Sequence, residues 1–160
     1  MGGTERALLD LVERGKIRAW GVSNFDQPAM DQVWRRGATP ACATNQVLYN
    51  LNRRGIEWDL LPAARSAGMP LMAYSPLDQA NVLDRTALKA AATAIGTTPA
   101  ALALAWVLRQ PEVIAIPKSS RADRVQDFRA ALDLSLPPEV LTTLDRAFPA
   151  PTRKTPLEVL

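Results

Sequence analysis

The sequence predicts an α/β fold built on a parallel sheet. Two features point there. Four short apolar runs, starting near Ile17, Ala41, Pro70 and Val113, alternate with segments of helical spacing, and that alternation calls for right-handed β-α-β crossovers. Each run also ends in a small polar group: Ser23-Asn24, Asn45-Gln46, Tyr74-Ser75 and Lys118-Ser119. Either a doubly wound sheet or part of a (β/α) barrel fits, and in both a ligand binds at the carboxyl ends of the strands.

The elements follow in order. Thr4 to Arg14 reads as a helix with Thr4 as its N-cap, Leu8, Leu11 and Val12 as its apolar set, and Gly15 as its stop. Lys16 to Val22 is the first strand. Asp26 caps a helix with Pro28 in its first turn, running to about Arg36. After a loop from Gly37 to Pro40, Ala41 to Val47 is the second strand, and Arg53-Arg54 reads as an exposed loop. Glu57 to Ala67 is helical, with Pro62 predicting a late start or a kink and Gly68 ending it.

Met69 to Tyr74 is the third strand. Asp84 caps a helix to about Ile95, and Thr98-Pro99 opens another through Leu108, with Leu102, Ala105, Trp106 and Arg109 at helical spacing. Val113 to Ile116 is the fourth strand, and Ala122 to Ala131 is its helix, with Asp123 as a further cap. Pro137 or Pro138 opens a last helix with Val140, Leu141, Leu144 and Phe148 on one face. Residues 1–148 read as one unit and 149–160 as a tail. Trp34, Trp58 and Trp106 lie on helices as packing residues, and Cys42 is buried and inert.

Composition narrows the chemistry. The chain has 160 residues, 48% hydrophobic and 22% charged, with a net charge of +3. The cations are scattered, which argues against nucleic acid and for mild steering of anions. One cysteine allows no internal disulfide and fits a reducing, cytoplasmic setting. No apolar run approaches membrane-spanning length. There is no histidine, so no histidine base or metal ligand comes from this chain. Neither G-x-G-x-x-G nor G-x-x-x-x-G-K-[ST] occurs.

The stretch after the fourth strand is the most informative. Ile116-Pro117-Lys118-Ser119 leads through a polar turn into a helix carrying Arg124. Backbone N–H groups at a helix start attract anions, and Lys118 and Arg124 add full charges suited to phosphate. Ser23, Asn24 and Gln46 suit an uncharged amide-bearing ring, and Tyr74 offers a flat stacking face. Together they look like a nucleotide site laid across four strand ends. A plainer reading stands beside it: Asn24 and Gln46 cap loops, Tyr74 is a rim aromatic, and Lys118 and Arg124 belong to a solvated face.

Taken in order, Gly21-Val22-Ser23-Asn24-Phe25, Asn45-Gln46-Val47-Leu48-Tyr49-Asn50, Ala73-Tyr74-Ser75-Pro76-Leu77 and Ile116-Pro117-Lys118-Ser119 closely resemble the successive signatures of the aldo-keto reductases. The flavour is similar to bacterial members that reduce small aldehydes or methylglyoxal. The resemblance spans about residues 5 to 150. It implies a (β/α)8 TIM-barrel fold, of which this chain carries the C-terminal half, and NADPH/NADP+ as cofactor.

The resemblance also implies roles. Ser23, Asn24 and Gln46 would hold the nicotinamide carboxamide, and Tyr74 would stack on its ring. Ser75 and Leu77 would lie by the pyrophosphate, and Lys118, Ser119 and Arg124 would hold the 2′-phosphate. Asp127 would lie near the adenine, and Phe128 stands where the family usually has asparagine. The family's catalytic tyrosine, lysine, aspartate and histidine belong to strands preceding the Ser23-Asn24 signature. Tyr49 and Tyr74, the only tyrosines, belong to other motifs. This chain is therefore expected to supply no catalytic residue and to be inactive alone. A small carbonyl compound is the expected substrate of the intact enzyme. The open strand edges are expected to meet either the missing half-barrel or a second copy. The alternatives are a non-catalytic NADP(H)-binding or interaction module, and a degenerate truncated gene product.

Overall fold

The structure is a computed structural model and describes residues 2–37 and 42–160. The helix α1 (Gly3–Glu13) leads to β1 (Trp20–Ser23) and α2 (Gln27–Arg35). Then come β2 (Cys42–Leu48), a 3-10 turn (Gly55–Glu57) and α3 (Leu60–Ser66). β3 (Leu71–Tyr74), a 3-10 segment (Asp78–Asp84), α4 (Thr86–Ala94) and α5 (Pro99–Leu108) follow. β4 (Val113–Ala115), α6 (Ala122–Ala130) and α7 (Pro138–Ala147) complete the chain. The four strands form one sheet in the order β1-β2-β3-β4, every pair parallel. The loop expected at 37–40 and the strand start at Ala41 fall, apart from Gly37, outside the described residues.

β1 and β3 are shorter than their apolar runs because neighbouring backbone groups are engaged elsewhere. The amides of Lys16 and Ile17 donate back to the Leu11 carbonyl at the end of α1 (2.9 and 3.4 Å), so β1 starts at Trp20. The Met69 amide donates to Ala64, Pro70 has no amide hydrogen, and β3 starts at Leu71. Where β1 leaves its bulge, Gly21 passes so close to β2 that a Cβ would lie 2.9 Å from the Thr44 carbonyl oxygen.

Two caps stand as expected. Asp26 Oδ1 accepts the Ala29 amide at 3.0 Å, and Thr98 Oγ1 accepts the Ala101 amide at 3.1 Å. Three do not. Thr4 lies inside α1, since the Arg6 amide already reaches Gly2 and closes the first turn one residue earlier. Asp84 pairs with Lys89 at 2.9 Å, leaving Arg85 at the cap of α4. Asp123 sits in the first turn of α6, paired with Arg121. At Pro62 the helix starts late, with Asp59 as its cap.

The core lies between the sheet and the helices. Val47, Leu71, Ala73 and Val113 are buried on the helix-covered face. In α5 the whole run from Ala101 to Val107 is buried, not one stripe, because β4, α4 and α6 all pack on it. Trp106 is fully buried there, but Trp58 is 47% exposed and is no core residue. The opposite face of the sheet carries Ser23, Gln46, Met72 and Ile114 in register, and none of them is buried. Parallel sheets normally have both faces covered.

Arg54 is the largest departure from expectation. It is 7% exposed, not a solvated loop residue. Its guanidinium binds Glu57 (2.8 and 3.1 Å) and Asp145 (2.7 Å). Glu57 in turn accepts the Tyr49 hydroxyl at 2.6 Å and Arg109 at 3.3 Å. Both arginines lie over the Trp106 ring, 4.9 and 3.7 Å from its centroid. This cluster ties the β2–α3 connection to α5 and α7.

Candidate functional site

The carboxyl ends of the four strands form one rim. At β1, Ser23 Oγ and the Asn24 amide both donate to the Gln46 carbonyl, at 3.2 and 2.9 Å. Asn24 has φ of +56° and turns the chain off the strand. Asn24 and Ser23 are exposed, and Gln46 and Tyr74 are half-buried. Tyr74 lies opposite Leu48 in the β2–β3 ladder.

Beyond Tyr74 the backbone is left-handed at Ser75 (+46°), Asp78 (+50°), Gln79 (+54°) and Ala80 (+76°). Each such non-glycine residue costs about 1–2 kcal/mol. Loops hold this kind of strain where a ligand needs a particular backbone path. This loop forms one wall of a cleft of about 680 Å³. The other wall is the β4–α6 connection and α6.

The cleft brings together Ser75, Leu77, Lys118, Arg124 and Asp127, with Phe128 beside them. Arg124, Asp127 and Phe128 share one helix face at i, i+3 and i+4. Ser23, Asn24, Gln46, Tyr74 and Ser119 are not among the lining of this cleft: the first four lie at or near the ends of β1, β2 and β3, and Ser119 lies between β4 and α6. Ser119 Oγ accepts the Arg121 amide at 3.1 Å, which leaves its hydroxyl hydrogen for a ligand.

The cations divide sharply. Arg121 is paired with Asp123, and that hydrogen bond holds the Asp123 carboxyl below its usual range. Among the described residues, Lys118 and Arg124 make no ion pair. Two exposed cations that make no ion pair therefore line the cleft, together with one carboxylate, Asp127, and the balance of charge suits an anionic group. No group of three or more His, Cys, Asp or Glu that could hold a metal occurs among the described residues.

Two buried asparagines shape this rim: Asn45, which the sequence offers only as the neighbour of Gln46 at a strand end, and Asn50, which it offers only as the last residue of a motif. Asn45 Nδ2 donates to the Phe25 carbonyl (2.8 Å) and its Oδ1 accepts the Phe25 amide (3.3 Å). Asn50 Nδ2 donates to the Ser75 carbonyl at 2.9 Å. The available signal was a polar residue at the apolar parity of a strand: Asn45 alternates with Val47 and Tyr49, all buried. A second cavity, about 400 Å³, lies between the starts of α2 and α3 under the tail. Lys154 reaches Asp59 (2.8 Å) beside it, and Glu158 reaches Arg53 (2.7 Å).

Four parallel strands with flanking helices, and polar groups at their carboxyl ends, are the pattern of a (β/α)8-type barrel. The sequence model of the Aldo/keto reductase family matches residues 4–148, and this chain belongs to that family. It is 45% identical to methylglyoxal reductase YeaE of Escherichia coli, over 98% of this chain and 57% of that protein. It is 33% identical to glyoxal reductase of Bacillus subtilis, over 89% of this chain and 50% of that protein. A crystal structure of an aldo/keto reductase from Klebsiella pneumoniae in complex with NADP and acetate superposes with a TM-score of 0.93. It is 46% identical, and the match covers 98% of this chain and 57% of that one. The chain thus spans about half the length of these relatives.

Proposed function

We propose that this chain is the cofactor-binding part of an NADPH-dependent aldo-keto reductase that reduces a small aldehyde or ketone to an alcohol. The observation that carries this reading is that Lys118 and Arg124, neither of them in an ion pair among the described residues, line one cleft with the Ser75 loop. Their charge suits the 2′-phosphate, and Ser119 adds a hydroxyl donor. Ser75 and Leu77 would border the pyrophosphate, and Asp127 the adenine. Ser23, Asn24 and Gln46 offer amide and hydroxyl groups to a carboxamide, and Tyr74 a stacking face for the nicotinamide. The Klebsiella relative crystallised with NADP, and a second aldo-keto reductase structure from that organism, 47% identical with a TM-score of 0.92 over 97% of this chain and 56% of that one, holds NADPH; both support the cofactor.

The bound cofactor supplies the hydride to the carbonyl carbon. This chain's residues bind and orient it. In this reading the proton for the carbonyl oxygen comes from the catalytic tyrosine of the family's other (β/α) units. Those units would also cover the open sheet face that presents Met72 and Ile114. The lone buried Cys42 suits a reducing, cytoplasmic setting.

The test is turnover by complementation. The chain alone, with NADPH and methylglyoxal, is expected to show none. Adding a polypeptide carrying the other (β/α) units of the Escherichia coli relative should produce NADPH oxidation that Lys118→Ala weakens. Turnover by the chain alone, or complemented turnover indifferent to Lys118→Ala, contradicts the proposal.

A second reading is favoured by Ile114, 47% exposed on that open face. The same NADP(H) site would then serve a non-catalytic module, with the face covered by a second copy of this chain.

A further inference from the structure

We propose that Asn50 is a positioning residue for the cofactor: it holds the loop from Ser75 to Ala80 in its left-handed path and so prepares the cleft for a dinucleotide pyrophosphate. The inference rests on the cofactor reading above and adds a determinant that the strand-end residues do not include.

The geometry is specific. Asn50 is fully buried just past β2. Its own backbone is fixed by a tight turn, with its amide and carbonyl both bonded to Arg53. Its Oδ1 accepts the amides of Asn52 (2.9 Å) and Arg53 (3.0 Å). Those two bonds assign the amide orientation and leave Nδ2 as a donor aimed at Ser75. The Ser75 carbonyl takes that donor at 2.9 Å and the Asp78 amide at 2.9 Å.

Asn52 adds a second hold, with Nδ2 donating to Asp78 Oδ2 at 2.8 Å. The two asparagines therefore grip the first and the second left-handed residues of the loop, Ser75 and Asp78. Neither asparagine is among the lining of the cleft, whereas Ser75, Leu77, Gln79 and Ala80 are. The clamp thus acts on a ligand only through the backbone it sets. A loop with four left-handed non-glycine residues does not hold that path without outside partners. Fixing it in advance removes an ordering cost from binding.

The test measures NADPH affinity by calorimetry, with thermal stability in parallel, for the wild type, Asn50→Asp and Asn52→Ala. Asn50→Asp keeps the acceptor for the turn amides but sets an oxygen against the Ser75 carbonyl. It should weaken NADPH about tenfold. A purely structural role would lower stability in Asn50→Asp without changing the affinity of the folded fraction; that result overturns the proposal. If Asn50→Asp does not fold, Asn52→Ala decides: about threefold weaker binding supports the clamp, and unchanged binding overturns it. A wild type that does not bind NADPH removes the cofactor reading itself, and this inference with it. That outcome differs from a wild type that binds and variants that bind equally.

Discussion

Asn45 brackets Phe25: its side-chain amide donates to the Phe25 carbonyl at 2.8 Å and accepts the Phe25 amide at 3.3 Å. One buried side chain thus supplies the two backbone partners that a further strand residue would have given. It carries the chain from the end of β1, through Asn24, to the cap of α2. Asn45→Ala should cost about 1–3 kcal/mol of stability, since it strands two backbone groups. Urea denaturation at constant m-value measures it.

Adjacent arginines should behave oppositely. Arg54 is buried against Glu57, and Arg54→Ala leaves Glu57 with Arg109 as its one cation in a mostly buried setting. We expect a loss of about 1–3 kcal/mol. Arg53 meets Glu158 at an exposed surface, and Arg53→Ala should cost no more than about 1 kcal/mol. The same urea experiment compares them.

Alkaline pH should destabilise the fold through Tyr49. Burial pushes its phenol well above the usual tyrosine range, with Glu57 raising it further against the opposing effect of Arg109. The folded state therefore keeps its proton while an unfolded tyrosine loses it near pH 10. Stability from this group is complete below about pH 10 and falls as the pH rises further. Tyr49→Phe, which cannot ionise, should show a smaller alkaline loss. Denaturation midpoints from pH 8 to pH 11 test this; equal slopes in both proteins would refute it.

Arg121 and Arg124 should separate in function. Arg121 is paired with Asp123, and Arg124 lines the cleft with no ion pair among the described residues. Arg124→Ala should weaken NADPH binding by about 1.5–3 kcal/mol, the worth of a hydrogen bond to a charged group, and Arg121→Ala far less. Titrations at low and moderate salt should also show a shallower salt dependence for Arg124→Ala.

Much of this fold was legible in the sequence because short-range signals govern it. The alternation of apolar runs with helical spacing located all four strands and the helices between them. Side chains with local partners, such as Asp26 and Thr98, followed capping rules. Asp84 and Asp123 did not, because each found a cation within a few residues. Arg54 was misread because its partners Asp145 and Phe148 lie some ninety residues away in sequence. The same limit hid Asn50, whose role depends on the Ser75 carbonyl in the next β-loop. Lys118, Arg124, Asp127, Ser75 and Leu77 line one cleft, whereas Ser23, Asn24, Gln46, Tyr74 and Ser119 do not; Leu77 and Asp127 entered the candidate site only through the family resemblance.

A chain that grips the 2′-phosphate through Lys118 should bind NADPH saturably when the purified protein is titrated and cofactor fluorescence is followed. It should prefer NADPH to NADH by at least about tenfold, and Lys118→Ala should abolish that preference. Equal affinity for the two cofactors, or a preference that survives Lys118→Ala, would overturn the proposed function.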